Sequence, residues 1–142
     1  MKVLFVHQNF PSQFKFLAPK LVLLGHDVSA FTLRQNAPDH WHGVKLFRYS
    51  IERENAQNAH PWTVDFESKV VRGEACCRAA INLRKRGYYP DIIIAHPGWG
   101  ESLFLKQVWP NSVLKLYCEY FYRPTGQDVG FDPEFVKDDV AD

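Results

Sequence analysis

Two histidines stand where apolar runs give way to polar loops. His7 follows Val3-Leu4-Phe5-Val6, and His96 follows Ile92-Ile93-Ile94-Ala95. An imidazole in such a place can donate a hydrogen bond, accept one, or titrate near neutrality. A solvated loop histidine without a ligand is the plainer reading of His96. The loop His7-Gln8-Asn9-Phe10-Pro11-Ser12-Gln13 opens a helix, so its N–H groups could receive a phosphate or a sugar hydroxyl. Asn9 and Ser12 could equally serve only as helix caps. The loop has no glycine, which excludes a GxGxxG fingerprint and a P-loop. After His96, Pro97, Gly98 and Gly100 fix an unusual backbone path, and Gly100 permits close approach. Trp99 reads either as a stacking platform for a ring or as packing. Glu101 reads as the acidic residue opening a short helix. Glu119 could accept hydrogen bonds from hydroxyls or pair with Arg123.

Other reactive side chains carry less. His40 and His42 flank Trp41 without an evident third ligand, so no metal is expected. His60 reads as part of the start of a helix. The three cysteines, Cys76, Cys77 and Cys118, are odd in number and lack zinc spacing. They read as reduced thiols, the first two as packing. Nucleophile–base constellations cannot be inferred from spacing, because such partners meet only in space.

These residues need a scaffold, and the apolar pattern supplies one. Continuous apolar runs at 3–6 and 92–95 mark strands buried on both faces, and further strands are expected at 28–31, 44–49 and 113–117. Helical spacing of Phe14, Leu17, Ala18, Leu21 and Leu24 predicts a helix capped by Ser12, kinked at Pro19 and ended at Gly25. A long helix is expected from Trp62 to Arg86, with an apolar stripe at Val64, Val71, Ala75, Ala79 and Leu83 widened by Cys76 and Ala80. Asp65–Lys69 and Glu74–Arg78 should be ion pairs on it, and Gly87 should stop it. A short helix is expected over Glu101–Val108. The order β-α-β-β-α-β-α-β implies a Rossmann-like, doubly wound α/β fold with a mainly parallel sheet flanked by helices. In such a sheet ligands bind beyond the carboxyl ends of the strands, where loops 7–13 and 96–101 and segment 118–123 fall.

The 142 residues suit one domain, and 17 Lys+Arg against 16 Asp+Glu leaves no charge field that would attract nucleic acid. No apolar stretch reaches the roughly 20 residues needed to span a bilayer. The chain is expected to be cytoplasmic, with peripheral contact at the inner membrane face left open.

The segments that carry the candidate residues also carry a resemblance. Lys2 through Phe14, the Leu23-Leu24-Gly25-His26-Asp27-Val28 turn, His60-Pro61-Trp62 through Arg72-Gly73-Glu74-Ala75, and Tyr117-Cys118-Glu119-Tyr120 through Phe131-Asp132-Pro133 resemble a group of bacterial family-4 glycosyltransferases. The most specific stretch is Pro90-Asp91-Ile92-Ile93-Ile94-Ala95-His96-Pro97-Gly98-Trp99-Gly100-Glu101-Ser102-Leu103-Phe104. The resemblance implies a retaining hexosyltransferase of the GT-B fold, in which two Rossmann-like domains face each other across a cleft. The N-terminal domain receives the acceptor; the C-terminal domain holds the nucleotide-sugar, usually without a required metal. Residues 1–124 would be the acceptor-side domain, with 125–142 a tail or the start of the remainder. The donor motif E-x7-E would lie beyond residue 142.

The resemblance further implies that His96 contacts a hydroxyl of the transferred sugar and does not act as a general base. His7, Asn9, Phe10, Ser12, Trp99, Gly100, Glu101 and Glu119 complete the candidate substrate-binding set. Asn9, Phe10, Pro11 and Ser12 stand where the family often has glycines near the donor diphosphate. This domain is expected to bind no cofactor and to be inactive alone, the nucleotide-sugar being held by a partner domain. Its acceptor would be a glycan, lipid or small molecule, and self-association through the aromatic segment 117–122 is a further expectation. A stand-alone α/β ligand-binding or regulatory module is the alternative.

Overall fold

Alternation along the first strand places Val3 and Phe5 in one apolar cluster and Leu4 and Val6 in another, all almost fully buried. A strand that is apolar on both faces must lie between two layers, and the rest of the chain provides them. A computed structural model describes residues 1–120 and 123. Its elements are β1 (Lys2–Val6), α1 (Leu17–Leu23), β2 (Asp27–Thr32), β3 (His40–Trp41), β4 (Val44–Arg48), α2 (Val64–Lys85), β5 (Ile92–Ala95), α3 (Leu105–Val108) and β6 (Val113–Leu116). The sheet order is β3-β4-β2-β1-β5-β6, parallel throughout except for the β3–β4 pair. Phe14 and Ala18 at and before α1 cover one face with Val3, Phe5, Val28 and Ala30. Ala75, Cys76, Ala80 and Leu83 of α2, with Leu105, Val108 and Trp109, cover the other with Leu4, Val6, Ile93 and Ala95. This is the doubly wound α/β architecture expected from the sequence.

Helix α2 follows its predicted stripe, with Val71, Ala75, Cys76, Ala80 and Leu83 buried, although Val64 is exposed. Both predicted ion pairs form. Gly25 and Gly87 end α1 and α2 with the paired backbone bonds of a Schellman turn, Gly25 N–H to the Val22 carbonyl with His26 N–H to Leu21, and Gly87 N–H to Arg84 with Tyr88 N–H to Leu83.

Four expectations are corrected. Helix α1 begins at Leu17, after a separate 3-10 turn at Ser12–Phe14, and Ser12 makes no capping bond. Pro19 therefore sits in the first turn, where its missing N–H costs nothing, and is not the mid-helix kink expected. The later start also turns Leu17 and Leu24 outward. Residues 34–43 are turn-rich and polar in sequence, with no strand expected there, yet they hold β3, which returns on β4 through His42-Gly43. Both loop residues have positive φ, 47° and 82°, as a two-residue hairpin turn of this hand requires. A Cβ on Gly43 would lie 2.7 Å from Val22 Cγ1, so the turn also packs on α1. Residues 101–104 form turns, and α3 covers only Leu105–Val108. The expectations for 121–122 and for the 125–142 tail lie outside the described residues.

Candidate functional site

β1 leads through α1 to β2 on one side, whereas β5 is reached through α2 on the opposite face. The strand order therefore switches between β1 and β5. Register pairs Val6 with Ala95, which puts the next residues, His7 and His96, side by side at the carboxyl ends of the two strands. Their ring centroids are 5.7 Å apart and nearly perpendicular. Two histidines from distant parts of the chain thus meet at the point where open α/β sheets bind ligands.

The backbone fixes both tautomers. Asn9 N–H donates to His7 Nδ1 at 3.0 Å, and Gly98 N–H donates to His96 Nδ1 at 3.0 Å. Each neutral ring therefore carries its proton on Nε2. The His96 Nε2–H donates to Glu119 Oε2 at 3.1 Å. His7 Nε2 is buried and has no hydrogen-bond partner among the described residues. A buried donor left unpaired is uncommon and marks a place that a ligand atom or water can fill.

Glu119 reaches His96 because the backbone turns sharply beyond β6. Tyr117 still pairs with Ala95 through its N–H, but Glu119 adopts φ 54°. A non-glycine residue in that region is strained, and such strain collects at functional sites. The Glu119 carboxyl is held below the usual range by a hydrogen bond from Gln13 first and by His96 next. The expected alternative, a pair with Arg123, is not formed.

Burial and then the neighbouring His96 ring push the His7 pKa below its ordinary 6.5, with Glu119 opposing more weakly. His7 is consequently neutral at pH 7. Its stabilising contribution is fully present above pH 6.5, because folded and unfolded states are then both deprotonated. As pH falls below that value the unfolded state takes up the proton first, so folding stability falls toward the lowered native pKa. The unfolding midpoint should therefore drop between pH 7.5 and 5.5, and the drop should be smaller in His7→Gln. Denaturant titrations of both proteins at the two pH values check this; equal slopes would contradict it.

The loop after β5 is locked to α2 by two glycines. A Cβ on Gly100 would stand 2.1 Å from the Lys69 carbonyl oxygen, and one on Gly73 would stand 2.8 Å from the Gly100 carbonyl oxygen. The close contact aligns Trp99 with its neighbours. Its ring centroid is 6.3 Å from that of His96, and the Arg72 guanidinium lies 5.6 Å over the indole. Trp99 is 40% exposed, so it is a surface platform and not core packing.

Two members of the predicted set point elsewhere. Phe10 is buried against Phe5 and Trp41 and cannot face a ligand. Glu101 is 1% exposed and accepts a hydrogen bond from the Tyr49 hydroxyl at 3.3 Å. It is neither a helix-opening acid nor part of the crevice wall, because no helix starts there and the loop turns the side chain inward. Burial raises the Glu101 carboxyl pKa despite bonds from its own backbone and Tyr49 and attraction to Arg72, and raises the Tyr49 and Cys76 pKa values too. Asn9 and Ser12 remain exposed at the mouth. Gly100 acts through its contact with α2. Among the described residues no group of three or more His, Cys, Asp or Glu side chains could hold a metal ion. A cavity of about 430 Å³ lies apart from the crevice, between α2 and β4, and is lined by Phe47, Arg48, Arg78 and Arg86. No helix among the described residues is long and apolar enough to cross a membrane.

A sequence model described as "Glycosyl transferase family 4 group" matches residues 24–142. The chain belongs to that family. The match spans β5, His96, Trp99 and Glu119, so the crevice of this glycosyltransferase-family domain is built largely from residues inside it. Comparison with curated proteins returned no significant match. Among solved structures, the C-terminal domain of a hydrogenase from Pyrococcus furiosus is similar, with TM-score 0.51 and 12% identity over 81% of this chain and 89% of that one. At that identity the likeness concerns the fold alone: a Rossmann-like α/β sheet.

Proposed function

We propose that this domain is the acceptor side of a hexosyltransferase that moves sugar from a nucleotide-sugar with retention of configuration. One observation carries the reading: the neutral His7 presents a buried, unpartnered Nε2–H beside His96 at the strand switch point. A sugar hydroxyl inserted between His96 and Glu119, taken here to belong to the acceptor and not to the transferred sugar that the resemblance implies, accepts from the imidazole N–H and donates to the carboxylate, while His7 supplies a second donor. Trp99 offers an apolar face for the ring, as aromatic side chains do for amphipathic ligands. Donor diphosphate contact is assigned to a second, nucleotide-binding unit, because the β1 loop has no glycine through which its backbone could cradle phosphates. Transfer accordingly needs that unit, and this domain alone is inactive. Retention and hexosyl transfer rest on the resemblance to retaining family-4 enzymes.

Saturation-transfer NMR of this chain with a panel of hexoses and with uridine and guanosine diphosphates tests the reading. Hexoses should bind weakly, with transfer from the Trp99 and histidine rings, and the diphosphates should not bind. Tight nucleotide binding without sugar binding would overturn it. So would turnover of a nucleotide-sugar by this chain alone.

A further inference from the structure

We propose that Arg72, held against Trp99, forms an oxyanion subsite beside the histidine pair and receives a phosphate or carboxylate borne by the acceptor sugar. This rests on the acceptor-side reading above and names the class of acceptor. The other α2 cations described with partners differ from Arg72 in kind. Lys69 pairs with Asp65, Arg78 pairs with Glu74 and Glu52, and Arg84 donates to the Val108 carbonyl oxygen. Arg72 is half-buried and has no hydrogen bond or ion pair to any described residue, only the Trp99 ring. Glu101 attracts it, but that carboxyl turns into the core toward Tyr49 and makes no ion pair with it.

A half-buried guanidinium without a counter-ion is costly, and stacking on an indole offsets only part of that cost. Stacking leaves the planar fork of N–H donors open, and that fork matches two oxygens of a phosphate or carboxylate. The position is built and not incidental, because Gly73 and Gly100 bring α2 and the loop into backbone contact on either side of Arg72 and Trp99. Trp99 neighbours both His96, at 6.3 Å between ring centroids, and Arg72, at 5.6 Å. In this reading one substituted sugar places a hydroxyl at His96 and its anionic group at Arg72, with Trp99 in contact with both residues.

Inorganic phosphate is the first probe, titrated into the full chain while the Arg72 Nε–H and Trp99 indole N–H signals are followed by NMR. Both should shift together and saturate, with half-saturation in the millimolar range. In Arg72→Ala the saturable Trp99 shift should vanish, and in Arg72→Lys half-saturation should rise at least several-fold. A linear shift, or the same midpoint in Arg72→Ala, would overturn the subsite. A hexose phosphate, the matching uronic acid and uridine diphosphate are then compared. Tighter binding of either substituted sugar, with His96 also shifting, supports an anionic acceptor and names its group. Tightest binding of uridine diphosphate at Arg72 overturns the acceptor assignment. Neutral hexose perturbing His7 and His96 while no anion reaches Arg72 would leave the acceptor-side reading standing and remove this one.

Discussion

Replacing His96 with alanine should lower kcat/KM for sugar transfer about 10- to 100-fold in the transfer-competent protein. The figure is that of one hydrogen bond to a substrate hydroxyl, worth about 1.4–2.8 kcal/mol when its loss leaves a partner unsatisfied. The partner here is Glu119, which loses the donor that holds it over β5. The fold should be little affected. His96 side-chain exposure is 13%, and its polar contacts are with the loop and Glu119 and not with the sheet core. His96→Gln, which keeps an N–H donor of similar reach, should recover part of the activity. Steady-state kinetics of the three proteins, with unfolding midpoints measured in parallel, check the expectation. Unchanged kcat/KM in His96→Ala would remove His96 from the site.

Gly100→Ala should be the most destabilising single methyl in the domain, costing about 3 kcal/mol from backbone strain and overpacking together. Its φ is 98°, and the added carbon would meet the carbonyl oxygen, carbonyl carbon and Cα of Lys69 within 2.7 Å. A flexible side chain could move away, but a carbonyl inside α2 is held by the helix and cannot. Gly25→Ala separates the two causes. Gly25 has a similar φ, 81°, with nothing within 4 Å of the added carbon. That change should cost only about 1 kcal/mol, the ordinary penalty for the conformation. The unfolding midpoint should therefore fall by about 10 °C for Gly100→Ala and by a few degrees for Gly25→Ala. Equal losses would mean that the loop is not pressed on α2. Because the contact aligns Trp99, Gly100→Ala should also weaken sugar binding at temperatures where the protein remains folded.

Much of this was legible in the residues. Val3 to Val6 and Ile92 to Ala95 are apolar at every position, which only a strand covered on both faces requires, and their ends locate His7 and His96. What the pattern could not carry was direction. Helical spacing gave α2 its stripe but did not say that Arg72 leans over Trp99; Gly73, a poor helix former inside a strong helix, was the available sign of a close approach. Pro19 similarly fits a first turn, but spacing counted from Ser12 places it mid-helix, where it predicts a kink. β3 escaped because two residues cannot establish a period, and His42-Gly43 is a weaker turn signal than Asn-Gly. Glu101 looked like a surface acid since nothing local reveals that the loop turns inward toward Tyr49. Glu119 depends on a positive φ that an acidic side chain does not advertise.

The central claim is that a sugar hydroxyl binds between His96 and Glu119, with His7 as a second donor, at the β1–β5 switch point. The most direct measurement is the ring nitrogen spectrum of His7 and His96 in the 15N-labelled chain during titration with a hexose that binds. Both rings should begin as the Nε2–H tautomer, and the Nε2 signals of both should shift together and saturate at one ligand concentration. Silent histidine rings with shifts confined to the α2–β4 cavity would contradict the claim.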